Sequence, residues 1–294
     1  VKKASPATAL STIRIKTLSL PIEITTNLKY FLREFCNLTS NWLFPANGET
    51  PAVRFGVIQK RKYKYLEKDG RTLYRIDRDY NLCPMLMDQI RMSCYENVRD
   101  YLLFHSGAVV KNGRAILLPA PKQSGKTTLT LGLMNYGYRH LTDEVSAIQH
   151  ETLEVVPYQR PIYMWNWSRP LGKEVSKSFR SYRYRADEVA RGAVGRWQYI
   201  VPQDGAVMPR DSRWKVDWII FPRYTLKGKT VLKPLSTAQA VVSLMQNGWN
   251  QELFPDGGLR VCAKLARRAR CYTLEMGDLD RACELIEDLQ GQGS

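Results

Sequence analysis

The residues best placed to do chemistry lie between positions 105 and 144. Ala120-Pro121-Lys122-Gln123-Ser124-Gly125-Lys126-Thr127-Thr128 follows the apolar run RAILLP and opens onto a second apolar run, LTLGL. Strand, glycine-bearing loop, lysine and helix start is the order that cradles a phosphate chain. The glycine lets backbone N–H groups come close, and the helix N-terminus adds partial positive charge. Lys126 would lie against the β and γ phosphates of ATP, with the Thr127 hydroxyl on Mg²⁺. Ala120 stands where the G-x-x-x-x-G-K-[ST] pattern starts with glycine, a change the cradle tolerates if position 120 needs no positive φ. Lys122 either adds charge to the cradle or points into water. A capped helix start without a ligand is the plainer alternative for the whole stretch.

Two further groups complete the set. Asp143-Glu144 come directly after the helix that the loop opens. A helix of that length followed by a short turn returns the chain beside its own start, within reach of a γ phosphate. One carboxylate could take the proton of an acceptor hydroxyl while the other holds the metal; alone, such a pair would read as a charged turn. His105 is the third candidate, although a lone histidine is more often structural.

The elements that must position these groups are legible in the hydrophobic pattern. Asn112-Gly113, between HSGAVV and RAILLPA, is the commonest two-residue hairpin signal and sets the strand of His105 beside the strand that bears the loop. TTLTLGLMNY reads as a helix stopped by Gly137. HLTDEVSAIQ and TLEVVPY read as a further hairpin, and VDWIIFPRY as a buried strand. STAQAVVSLMQNGWN is a helix capped by Ser236, and the C-terminal stretch reads as helix, strand (CYTLEM), helix. Upstream, residues 11–24 and the segments PAVRFGVIQ and KYKYLEKDGRTLYRID predict strands. NLKYFLREFCNL predicts a helix, and MLMDQIRMSCYENVRDYLLF a second one with Leu86, Ile90, Cys94, Val98 and Leu102 or Leu103 on one stripe. The expected organisation is a small α+β unit over 1–83 and an α/β domain over 84–294.

Composition narrows the partners. A formal charge of +16 predicts attraction to something anionic, whether a nucleotide, nucleic acid, an acidic peptide or protein, or a phospholipid surface, and charge alone does not choose among them. Arg160, Arg180, Arg183 and Arg185 are the candidate substrate contacts, three of them in the Arg- and Tyr-rich stretch 169–197. A solvated face is the plainer reading of that stretch. Six cysteines without any C-x-x-C pair and three histidines predict neither zinc nor a disulfide framework. With no apolar run of spanning length, the expectation is a cytoplasmic protein without a membrane span. Oligomeric state is left open.

Residues 105–148, HSGAVVKNGRAILLPAPKQSGKTTLTLGLMNYGYRHLTDEVSAI, resemble the HPr kinase/phosphorylase superfamily, and more closely its HPr kinase-related serine kinases. The shared features are His-x-Gly, the hairpin, the loop and Gly-Tyr-Arg-His-x-x-Asp-Glu; the resemblance extends more weakly over residues 157–290, through VVPYQRPI, FPRYTLKG, LKPLSTAQA and YTLEMGDLDRA, and the first hundred residues match in style only. The resemblance implies a P-loop kinase core with a mixed sheet, akin to HPr kinase and phosphoenolpyruvate carboxykinase. It implies ATP and Mg²⁺, with Asp143 as catalytic base, Glu144 as a metal-linked acid and His105 as an active-site histidine. The acceptor it implies is a Ser or Thr hydroxyl of a peptide, including lasso and other ribosomal peptides; a small-molecule or sugar kinase and a nucleic-acid-stimulated NTPase are the alternatives. The chain departs from the parent family in having Glu144 for its second aspartate and in lacking a later Glu-x-Arg-Gly motif.

Overall fold

The computed structural model describes residues 9–165, 179–190, 193–203 and 205–291, apart from the side chains of Tyr80 and of residues 165–198. The chain divides into two compact units, Val1–Val98 and Arg99–Ser294. The first is built from β1 (Ser11–Thr17), β2 (Leu20–Thr26), α1 (Lys29–Leu38), β3 (Phe44–Pro45), β4 (Val53–Lys60), β5 (Tyr63–Lys68), β6 (Arg71–Ile76) and α2 (Leu82–Asn97). Its sheet runs β3-β1-β2-β4-β5-β6. Alternation decides the buried face: Ile22 and Ile24 on β2, Phe55 and Val57 on β4 and Leu66 on β5 are closed from water. Phe31 and Phe35 of α1, one turn apart, are also fully buried. Compactness puts the division at Val98/Arg99, where the sequence pattern put it at 83/84, and α2 belongs with the first unit.

One sequence expectation needs correction here. The stripe through Val98 and Leu102 predicts that the second helix runs on to Phe104, but it stops at Asn97 and a strand starts at Tyr101. Leu102, Leu103 and Phe104 are all fully buried. A run buried on every side carries no periodicity, so helical spacing was satisfied by accident.

The second unit comprises β7 (Tyr101–Lys111), β8 (Arg114–Pro119), α3 (Lys126–Asn135), β9 (Arg139–Thr142), β10 (Val145–Gln149), β11 (Glu154–Val156), β12 (Ile162–Trp165), β13 (Phe179–Ala190), β14 (Ala193–Pro202), β15 (Trp214–Tyr224), β16 (Val231–Pro234), α4 (Thr237–Asn247), α5 (Leu259–Arg268), β17 (Arg270–Met276) and α6 (Leu279–Gly291). Its main sheet is mixed, in the order β11-β10-β7-β8-β15-β17-β16, with β9 on β7. β8, β15 and β17 are mutually parallel, and the rest of the path is antiparallel. β12, β14 and β13 form a separate three-stranded sheet.

Both faces of the main sheet are covered by helices, which is what parallel strands require. On β8, Ile116 and Leu118 pack with Leu129 and Leu133 of α3 and with Cys283 and Ile286 of α6. Ala115 and Leu117 point to the other side, toward Leu244 of α4 and Leu265 of α5. Asn112 and Gly113 take φ 53° and 76°, the left-handed pair that a tight hairpin demands. Ser236 and Gln239 close a reciprocal capping box on α4. Among the described residues, no helix is long and apolar enough to cross a membrane.

Candidate functional site

The loop 120–125 leaves the carboxyl end of β8, beside the carboxyl ends of its parallel neighbours β15 and β17. That is the end of an open α/β sheet where ligands collect. The loop is tied down at several points. Ala120 N–H donates to the His105 carbonyl (3.1 Å), and Tyr224 N–H, at the end of β15, donates to the Ser124 carbonyl (3.2 Å). Ser124 Oγ donates to the Pro121 carbonyl (2.8 Å). Two residues take the left-handed conformation, Gln123 (φ 71°) and Gly125 (φ 87°), and Ala120 does not. The fold thus needs no glycine at position 120. A Cβ on Gly125 would come within 2.5 Å of Met276 Cε, at the end of β17.

Lys126 heads α3, yet its side chain folds back across the loop. Nζ donates to the carbonyls of Ala120 (2.8 Å) and Pro121 (2.9 Å). The residue is 6% exposed. Burial depresses its pKa to about 8, against the opposing pull of Asp143 and Glu144. Carbonyl oxygens are poor substitutes for anions as partners of a buried ammonium, and an incoming phosphate would be a better one. Lys122 and Gln123 are exposed, while Thr127 and Thr128 are half-buried in the first turn of α3.

The acids sit in the tight connection between β9 and β10. Thr142 Oγ1 accepts from the N–H groups of Glu144 (3.3 Å) and Val145 (3.2 Å), which fixes the turn. Asp143 is 7% exposed and receives a hydrogen bond from Thr127 Oγ1 (3.2 Å). Burial, followed by the charge of Glu144, raises its pKa to about 7; Arg160 and the Thr127 hydroxyl pull the other way. Glu144 points elsewhere, to Arg160, at 2.6 Å. Tyr158 N–H donates to the Leu141 carbonyl, and the Gln159 amide reaches the carbonyls of His140 and Met208, so the strand-like segment carrying Arg160 is clamped to β9.

His105 lies in register with Val145, and its neighbour Ser106 donates its N–H to the Glu144 carbonyl (3.1 Å). Its ring stacks on the Trp249 indole, 4.6 Å between centroids and 19° from parallel. The fold therefore gathers His105, the loop, Lys126, Thr127, Asp143, Glu144 and Arg160 at one end of the sheet. Arg180, Arg183 and Arg185 belong to β13, but their side chains lie outside the described residues. Thr127 and Glu144 were the expected metal pair; the carboxylate that meets Thr127 is that of Asp143, since Arg160 holds Glu144. Trp249, Tyr224 and Met276 carry no local signal in the sequence. They reach the site only through the topology.

Hard oxygen donors are present for a cation. Thr127 Oγ1 gives its proton to Asp143, which leaves the hydroxyl lone pairs open. Among the described residues no three acidic, histidine or cysteine side chains cluster as a dedicated metal cage. Mg²⁺ held between a nucleotide and protein uses only one or two protein oxygens, so this donor set suits it.

No protein-family model and no curated protein matches the chain. Among solved structures, the Hpr(Ser) kinase/phosphatase from Coxiella burnetii is similar over 65% of this chain and 97% of its own, at 10% identity and a TM-score of 0.32. At that TM-score and identity the match assigns the chain to no family.

Proposed function

We propose that the second unit is an ATP- and Mg²⁺-dependent phosphotransferase with a P-loop kinase core, acting on a Ser or Thr hydroxyl of an acidic peptide or protein. One observation carries this reading: the glycine-bearing loop, its buried Lys126 and the Thr127–Asp143 hydrogen bond converge at the carboxyl ends of parallel strands. Lys126 exchanges its two carbonyl partners for the β and γ phosphates. The N–H groups of the loop and of the first turn of α3 face the same anion.

Asp143 is the base. A carboxyl whose pKa sits near 7 can hold or release a proton at neutral pH, the condition for efficient general-base work. It takes the proton of the acceptor hydroxyl as that oxygen bonds to the γ phosphorus and the bond to the bridging oxygen of ADP breaks. Thr127 would hold Mg²⁺, which would supply charge neutralisation to the transferring phosphoryl group, and Glu144 would join it only on leaving its ion pair with Arg160. Arg160 pairs with Glu144, and His105, braced by Trp249, lines the acceptor side.

The test is mass spectrometry of a peptide library rich in Asp, Glu and Ser, incubated with the full chain and Mg·ATP beside the Asp143→Asn variant. The expected result is a gain of one phosphate in some peptides, lost in the variant. ATP consumption without any modified peptide would move the acceptor to a small molecule. Consumption raised by RNA or DNA would favour a nucleic-acid-stimulated NTPase.

A further inference from the structure

The sheet of the first unit ends on β6, which pairs only with β5 among the described residues. Every residue from Arg71 to Arg75 is exposed, including Leu73 (37%) and Tyr74 (43%). An uncovered edge offers a row of backbone donors and acceptors, and proteins usually blunt it with charge, brevity or a bulge. Two of these devices are present: a register shift between Leu66 and Glu67, and the flanking Arg71 and Arg75. A protective edge, however, would not centre an apolar pair. Leu73-Tyr74 between two arginines is the pattern of an edge that receives something.

Charge decides what fits. Residues 60–75 hold seven cationic side chains against Glu67 and Asp69. Lys60, Lys64 and Lys68 are answered by Glu67, Asp79 and Glu96. Arg75 meets Asp77 at 3.2 Å, but both side chains are more than half exposed, and such pairs are weak and screened. The edge is therefore cationic around its apolar centre. Tyr63 and Tyr65 on β5 could suggest a platform for stacked bases. A cation already lies over each ring, Lys62 (5.1 Å) and Arg75 (5.0 Å) at Tyr63 and Lys60 (5.6 Å) at Tyr65, and both residues are half-buried, which leaves a poor platform for bases. What stays available is the backbone of β6.

We infer that β6 is the docking edge for an extended acidic peptide segment, which adds to the sheet as a further strand. Its backbone pairs with β6, its carboxylates face Arg71 and Arg75, and an apolar side chain covers Leu73 or Tyr74. Docking there is independent of phosphoryl transfer in the second unit, so either can fail alone.

The test is fluorescence anisotropy of the full chain at physiological salt with a capped peptide of alternating Glu and Val. It is run beside the same peptide N-methylated on alternate residues, a Lys-Val counterpart and an oligouridylate. Saturable binding of the Glu-Val peptide is expected, weakened about tenfold or more by N-methylation, which removes backbone donors and leaves the charge intact. Arg71→Glu with Arg75→Glu should weaken it by a similar factor without lowering the melting temperature, because both side chains are exposed. Equal binding of the N-methylated peptide would reduce the contact to charge alone and overturn the inference. So would absence of saturable binding, tighter binding of oligouridylate sensitive to the same double variant, or self-association of the chain that the double variant abolishes.

Discussion

Asp143 and Lys126 are both ionisable groups held where burial disfavours their charge, and each should trade stability for function. The Asp143 carboxyl has a higher pKa folded than unfolded, so the folded chain holds an extra proton between about pH 4 and about pH 7. Its contribution is neutral below that window and becomes increasingly unfavourable as pH rises through it, by at most ~4 kcal/mol. Asp143→Asn should melt close to the parent at pH 4 and progressively above it toward pH 7 and beyond, without nucleotide. The same variant should lose about 10² to 10⁴ in turnover while still binding ATP. A constant offset in melting temperature across that range would mean that the carboxyl is not perturbed. Lys126→Ala should weaken ATP binding at least about tenfold, since a charge-assisted contact to phosphate is lost. Isothermal calorimetry reads this directly, and unchanged affinity would remove Lys126 from the cradle.

Where α3 crosses β7, side-chain size sets the fit. A Cβ on Gly107 would lie 2.7 Å from Thr130 Oγ1, so the helix that carries Lys126 and Thr127 rests directly on backbone. Among the described residues the buried Thr130 Oγ1 finds no hydrogen-bond partner, so it is a steric neighbour and not an anchor. Gly107→Ala should cost about 1–3 kcal/mol by overpacking. Thr130→Ala removes the obstructing atom together with an unsatisfied hydroxyl. In the double variant the cost of Gly107→Ala should largely vanish. Denaturant melts of the four species give the coupling, and simple additivity would show that the contact does not govern the packing. Turnover should follow the same pattern, because the helix start moves with the helix.

Across the whole molecule, +16 charges create a field that pulls in anions before any contact forms. If the acceptor is an acidic peptide, kcat/KM should fall steeply with added salt while kcat changes little, since the field acts on encounter and the Debye length shrinks from about 10 Å at 0.1 M to about 3 Å at 1 M. A neutral peptide with the same acceptor residue should show a much flatter series. Parallel series for the two peptides would show that net charge does not select the substrate.

Much of this protein is legible in its sequence. The hairpin at Asn112-Gly113, the helix after Lys126, the capped helix at Ser236 and the final helix, strand and helix follow from short-range rules of turn, cap and period, and they appear where those rules put them. Local rules failed at the start of β7: Leu102, Leu103 and Phe104 continue the spacing of the helical stripe, yet all three are apolar and buried, so no period there separates strand from helix. The partners of the loop were beyond them as well. Trp249 stacks on His105, Tyr224 and Met276 wall the loop, and Arg160 takes Glu144 and leaves Asp143 to Thr127. Spacing brings the acids back to the loop, but it does not say which acid meets Thr127, and the segments of Trp249, Tyr224 and Met276 lie too far along the chain to carry any signal. Sequence determined which groups could do chemistry and which local elements present them. Only the tertiary structure decided which of them face one another, because strand order and helix packing are set by the burial of the whole core.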